Sequence, residues 1–284
     1  MLLLWLVCLL PVSLPAEDGG QRGLLWEIGR AGQPASYLFG TIHSEDPAVL
    51  ALPAPVEQAF AAAHSVVLEV LLDLDAMVYS SQLMLLGDGR LLSEITGKTL
   101  FEQTARAIRT RGIPELVLER MKPWAAAITL SMPAPETGEV LDMRLYQRAL
   151  QAGKPVSGLE TISEQLAIFE DLSEQEQLRL LRDAVENFAE IDRLHRELIH
   201  AWLQRDLDTL MAINSETLQA GDRELAAEFE ERLIASRNRL MAERLQPYLQ
   251  EGEVFVAVGA LHLPGETGLL NLLRQQGYTV RAIY

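Results

Sequence analysis

Strand-like runs lie at both ends of this 284-residue chain and helical patterns lie between them, so any sheet it forms has to be assembled from both ends. The runs are LLWEI at 24–28, SYLFGTI at 36–42, VVLEV at 66–70, KPVSGL at 154–159, VFVAVGAL at 254–261 and YTVRAIY at 278–284. Helical patterns begin with PVEQAFAAA at 55–63 and SEITGKTLFEQTARAIRTRG at 93–112, the second opening on Ser93 and closing on Gly112 like a capped helix. A strongly helical portion then fills about 173–250, starting at Ser173 with a Ser-Glu-Gln-Glu capping box. The pattern predicts an α/β (α+β) fold with a large helical insertion at about 173–250 before the final strands.

Half the chain, 49%, is hydrophobic and 23% is charged, enough to bury a sizeable core, and one domain over 17–284 is the natural count. Acidic residues outnumber basic ones by 40 to 24, a formal net charge of −16, which excludes a nucleic acid held by a broad basic surface. Residues 1–16, MLLLWLVCLLPVSLPA, carry no charge and run straight into EDGG, so they are expected to be a signal peptide cut near Ala16. The mature chain is then exported, periplasmic or extracellular, and soluble or loosely membrane-associated; a retained N-terminal anchor is the alternative. The single cysteine, Cys8, lies inside that segment, and Leu6-Val7 before it does not suit a lipoprotein. A metal site in the mature chain therefore has only His, Asp and Glu to draw on.

One local repetition matters for chemistry. Tyr37 to His43 reads YLFGTIH and Val256 to His262 reads VAVGALH, each an apolar strand running into Gly-x-x-His. Such a motif sets an imidazole at a strand's carboxyl end, where open α/β sheets build their crevices. A lone histidine after a strand is more often a hydrogen-bonded structural residue, but two in matching contexts point to one rim. Glu69 interrupts the otherwise apolar run Val66 to Leu72, and an unpaired carboxylate there costs several kcal/mol. It needs an arginine, a proton or a cation; a metal or general-base role beside His43 and His262 suits the residue types best.

Together, YLFGTIH, VVLEV, LDMRLYQRALQAGKPVSGLETISEQ, SRNRLMAERL and VAVGALHLPGETGLLNLLRQQGYTV resemble the TraB/GumN family over nearly the whole mature chain and in the same order. That family is related to the Tiki metalloproteases and, more distantly, to erythromycin-esterase and ChaN-like proteins. The resemblance implies a central mixed sheet flanked by helices and a hydrolase assisted by a divalent metal, a metallopeptidase in some relatives. Carried over by position, it makes His43 and His262 the motif histidines, Glu69 the strand acid, Arg237 and Asn238 the late-helix pair, Glu160 the Gly-Leu-Glu acid and Asp142 the Leu-Asp aspartate. Glu160 has an equally good role as a cap on the helix starting near Thr161, with Gln165 facing the same crevice.

The expected metal ligands are His43, Glu69 and His262, with Arg237, Asn238 and Glu160 completing the site. Oxygen and nitrogen donors with open water positions suit Mn, Co or Zn. The substrate is a peptide or another acyl compound. The competing reading is a non-catalytic protein that holds a peptide, haem or metal in the same crevice. The remaining histidines offer less: His195 and His200 are five apart on a helix and do not face each other, and His64 suits a helix C-terminus. No His-Glu-x-x-His, Gly-x-Ser-x-Gly or phosphate-binding glycine loop is present.

Overall fold

The computed structural model describes residues 22–71, 73–219 and 231–284; the expected signal segment at 1–16 lies outside them. Six strands form one mixed sheet: β1 (Leu25–Gly29), β2 (Ser36–Thr41), β3 (Ser65–Val70), β4 (Val156–Glu160), β5 (Val254–Gly259) and β6 (Thr279–Ala282). Their order across the sheet is β4-β3-β5-β2-β1-β6. Neighbours from β4 through β2 are parallel, while β1 runs antiparallel to both β2 and β6. Each strand coincides with one of the sequence runs to within two or three residues at either end, and the sheet is indeed built from the two chain ends.

The central strand shows why the runs read so apolar. All six residues of β5 are buried, as expected for a parallel strand covered on both faces. Phe255 of β5 stands beside Phe39 of β2, with ring centroids 6.0 Å apart, and Phe60 meets Phe255 edge-on at 5.3 Å. Trp202 packs against Phe39 at 6.1 Å and spends its indole N–H on the carbonyl of Gly40, 2.9 Å away. The first motif's glycine is required by this crowding. A Cβ on Gly40 would lie 2.7 Å from Leu263 Cδ1 and 3.1 Å from Ala260 Cα.

Chain contacts divide the described residues into two compact units. One contains the entire sheet and comprises, among the described residues, 22–71, Thr137–Glu160 and those of Glu197–Tyr284. The other, Leu72–Glu136 with Thr161–Arg196, is all helical in its regular structure. Its centre is the stacked pair Trp124 and Phe169, 5.6 Å apart, where Glu170 accepts hydrogen bonds from the Trp124 indole and from Lys122. The helical portion expected at 173–250 is helical where it is described, and it divides between the units at Arg196.

Helix ends differ in detail from the sequence reading. Ser173 makes its capping box with Glu176, but the helix expected to open on Ser93 is Leu92–Ile108 and starts one residue earlier from Leu91. Its interior holds Gly97 at φ 73°, a break that only glycine tolerates well, and it ends through a 3-10 turn on Gly112 at φ 75°. No helix among the described residues is long and apolar enough to cross a membrane.

Candidate active site

The four parallel strands deliver their carboxyl ends to one rim. Register pairs Thr41 with Gly259 between β2 and β5, and Val70 with Glu160 between β3 and β4. His43 follows Thr41 by two residues and His262 follows Gly259 by three, so both motif histidines leave adjacent strands at that rim. Glu69 is the penultimate residue of β3 and Glu160 the last residue of β4. All six residues expected in the site, together with Asp142, are buried and belong to the sheet-bearing unit. Gln165 is buried too, within the Ile162–Glu170 helix of the other unit.

His43 is oriented by Asp142, in the first turn of the Leu141–Gln151 helix, with Nδ1 3.1 Å from Oδ2. The other oxygen of Asp142 accepts from the Thr41 hydroxyl at 2.7 Å. Burial alone works against a charge on Asp142, but the hydrogen bond and proximity of His43 and the bond from Thr41 outweigh it and hold the carboxyl below its usual range. With the carboxylate ionised, Nδ1 is the donor. In that tautomer the lone pair lies on Nε2.

His262 reaches the same state through an amide. Asn238 donates from Nδ2 to the Thr267 carbonyl at 2.9 Å, which fixes its orientation and turns Oδ1 toward His262 Nδ1 at 2.7 Å. Because that oxygen can only accept, Nδ1 is the donor and Nε2 again holds the lone pair. Burial, then the charge of Arg237, lowers the His262 pKa to about 3 against a smaller opposing pull from Glu160, so the ring is neutral at physiological pH. Among the described residues, His43 Nε2 and His262 Nε2 are both buried without a hydrogen-bond partner.

Glu69 and Glu160 converge on Arg237. Its Nε donates to both oxygens of Glu160 at 3.0 Å, and its Nη2 serves Glu160 Oε2 at 2.6 Å and Glu69 Oε1 at 2.5 Å. Nη1 turns back to the Leu233 carbonyl at 3.1 Å. Burial disfavours the guanidinium charge, yet the Glu69 charge and the Glu160 bond more than offset it, and the pKa of Arg237 is raised. Glu69 Oε2 accepts from the Gly259 N–H at 2.9 Å and lies 3.8 Å from His262 Nε2.

Of the partners open to Glu69, the arginine is therefore present. No group of three or more His, Cys, Asp or Glu side chains among the described residues is disposed to hold one ion, so the expected His43, Glu69 and His262 set does not stand as a finished cage. The chemistry of the donors nonetheless suits a divalent cation. Each imidazole offers Nε2 while its Nδ1 proton goes to an acceptor, the arrangement that metal-binding histidines adopt. The 3.8 Å from His262 Nε2 to Glu69 Oε2 also lies within the span of two metal bonds of about 2.1 Å.

Glu160 is no helix cap: Thr161 caps the Ile162–Glu170 helix, with its hydroxyl accepting from the Glu164 N–H. Thr41, the Gly259 N–H and the Thr267 and Leu233 carbonyls were not foreseen. Thr41 alone left a trace in the sequence, as a hydroxyl just before the motif histidine at the end of an otherwise largely apolar strand.

A family model described as the TraB/PrgY/gumN family matches residues 24–282. Among curated proteins, this chain is 27% identical to the metalloprotease TIKI2 of Danio rerio over 94% of its own length and 62% of that protein's. It is 26% identical to TIKI1 of Danio rerio, over 94% of the chain and 66% of the relative. It is 25% identical to the protein YbaP of Shigella flexneri, over 87% of the chain and 91% of YbaP. The chain thus spans less than two thirds of the length of the two fish metalloproteases. No solved structure matches.

Proposed function

The chain belongs to the TraB/PrgY/gumN family, and on that premise we propose that it is an exported, metal-dependent hydrolase of the metallopeptidase kind, acting on a peptide or another acyl substrate. One observation carries the reading: two buried imidazoles on one sheet rim present unpartnered Nε2 atoms, each with its Nδ1 proton committed elsewhere. The metalloprotease names of the fish relatives support it.

His43 and His262 would hold the ion through Nε2, with Glu69 Oε2 as the neighbouring carboxylate oxygen. A bound Mn, Co or Zn ion supplies a Lewis acid and brings the pKa of a bound water toward neutrality. Asp142 and Asn238 keep both Nδ1 atoms protonated, which leaves the basic nitrogen of each ring at Nε2. Glu69, bonded to Arg237 and to the Gly259 N–H, is the acceptor best placed beside His262 to take up a proton.

A peptide-library digest by purified mature protein, stripped of metal and resupplied with Mn, Co or Zn singly, tests the proposal. Cleavage is expected with at least one ion and is abolished in His43→Ala and in His262→Ala. Absence of cleavage of peptides and simple esters with all three ions sinks the hydrolase reading and leaves a binding protein.

A further inference from the structure

Arg237 and Asn238 are consecutive residues of one short helix, Ser236–Arg244, yet they grip different strands. Arg237 holds Glu69 of β3 and Glu160 of β4. Asn238 holds His262, beyond the end of β5. His43 is held from a separate helix by Asp142. Both grips from Ser236–Arg244 are tied at the rear, Arg237 to the Leu233 carbonyl and Asn238 to the Thr267 carbonyl. Leu233 sits in a π-helical turn, Glu231–Ala235, that feeds directly into the helix. Such turns widen a helix and leave carbonyls to be satisfied by other donors, here the guanidinium of Arg237 itself.

We propose that the Ser236–Arg244 helix is a two-pronged clamp: Arg237 and Asn238 are positioning residues that set Glu69 and His262 as one unit, while His43 is set independently. The inference deepens the proposed metal site and rests on it for its consequence, but the clamp itself is a property of the ion-free chain. Neighbouring Cα atoms on a helix cannot move independently, so a loss of grip by one prong shifts the backbone that carries the other. Metal affinity then depends on both prongs jointly. Outer-shell partners of this kind are worth about 10–100-fold in metal affinity each when removed, and coupled residues do not add.

The test has an arm that needs no metal. In histidine side-chain NMR of the ion-free wild type, His262 shows a protonated Nδ1 and an unprotonated Nε2. Arg237→Lys keeps the positive charge but replaces the planar guanidinium fork with one compact ammonium, which cannot reproduce the five bonds that leave Arg237 from three nitrogens. It is expected to degrade the fixed Nδ1–H signature of His262, which receives none of the hydrogen bonds described for Arg237, and to leave the His43 signals unchanged. Asn238→Ala is the reciprocal variant, read at the Arg237 Nε–H resonance, which should lose its protection from solvent exchange. Changes confined to the mutated prong, or equal changes at His43 and His262, overturn the clamp. Co(II) titration forms the second arm. Each single variant should weaken binding by about 10–100-fold and alter the visible Co(II) spectrum, and the double variant should fall short of the product of the two losses. Full multiplication of the losses also overturns the clamp, whereas a wild type that binds no Co(II) defeats the metal reading and leaves the NMR arm to decide the clamp.

Discussion

Asn238 Oδ1 lies 2.7 Å from His262 Nδ1, and this one bond decides which nitrogen of a fully buried ring is left for chemistry. An amide there does what Asp142 does for His43, without adding a further carboxylate to Glu69 and Glu160. The two motif histidines thus reach the same tautomer by different means, and each means can be tested on its own.

The first test concerns acid. His262 has a folded-state pKa near 3, below the ordinary value of 6.5, so the unfolded chain binds a proton that the folded chain refuses. Stability from this group is fully present above about pH 6.5 and is lost as pH falls toward 3, by up to about 1.4 kcal/mol per pH unit. Urea unfolding of the metal-free protein between pH 7 and pH 4 should show that slope. His262→Gln should flatten it, and an unchanged slope would mean that His262 is not the group responsible.

Asp142→Asn tests the other histidine. The substitution removes the charge that fixes His43 Nδ1 as donor and unsettles the bond from Thr41. Activity with saturating ion should drop about 10–100-fold, the usual loss for an outer-shell partner. Circular dichroism and the unfolding midpoint check that the fold survives. Wild-type activity in this variant would remove Asp142 from the account.

Glu69 and Glu160 should rank in a stated order. Arg237 gives Glu160 three hydrogen bonds and Glu69 one, so Glu160→Gln strands more of the guanidinium. Breaking a buried ion pair costs about 3–5 kcal/mol; Glu160→Gln belongs in that range and Glu69→Gln at or below its lower end, because Arg237 keeps Glu160. Denaturant unfolding of the two variants gives the comparison, and the reverse order contradicts the geometry.

Gly40→Ala probes the crowding where the two motifs meet. The added methyl falls 2.7 Å from Leu263 and 3.1 Å from the backbone of Ala260, and the second contact cannot be relieved by a side-chain rotation. A loss of about 1–3 kcal/mol is expected from overpacking, read as a lower thermal midpoint. A neutral substitution would show that the two strand ends are farther apart than described.

Much of this was legible in the sequence because the strands are short, apolar and punctuated by the same Gly-x-x-His ending. Period and composition sufficed to find all six. The partner of Glu69 was harder to read, since a carboxylate in an apolar strand announces that it has a partner but not which one. Arg237 is 168 residues away in sequence, on a helix whose pattern alone suits a solvated arginine, and only the family resemblance drew it into the site. The choice between a capping and a site role for Glu160 was equally open, because strand end and helix start are adjacent. There the deciding residue was Thr161, a better cap by chemistry. Backbone partners such as the Gly259 N–H and the Thr267 carbonyl leave no mark in a sequence.

The central claim, that His43 and His262 together hold a divalent ion, is tested most directly by thermal unfolding of the metal-free mature protein with and without excess Mn, Co or Zn. Wild type should gain a concentration-dependent rise in midpoint with at least one ion, because an ion that binds only the folded state stabilises it by mass action, about 2.7 kcal/mol at one hundred times its Kd. His43→Ala and His262→Ala should each lose that rise. No rise in wild type with any of the three ions, or a rise that survives in both histidine variants, contradicts the account.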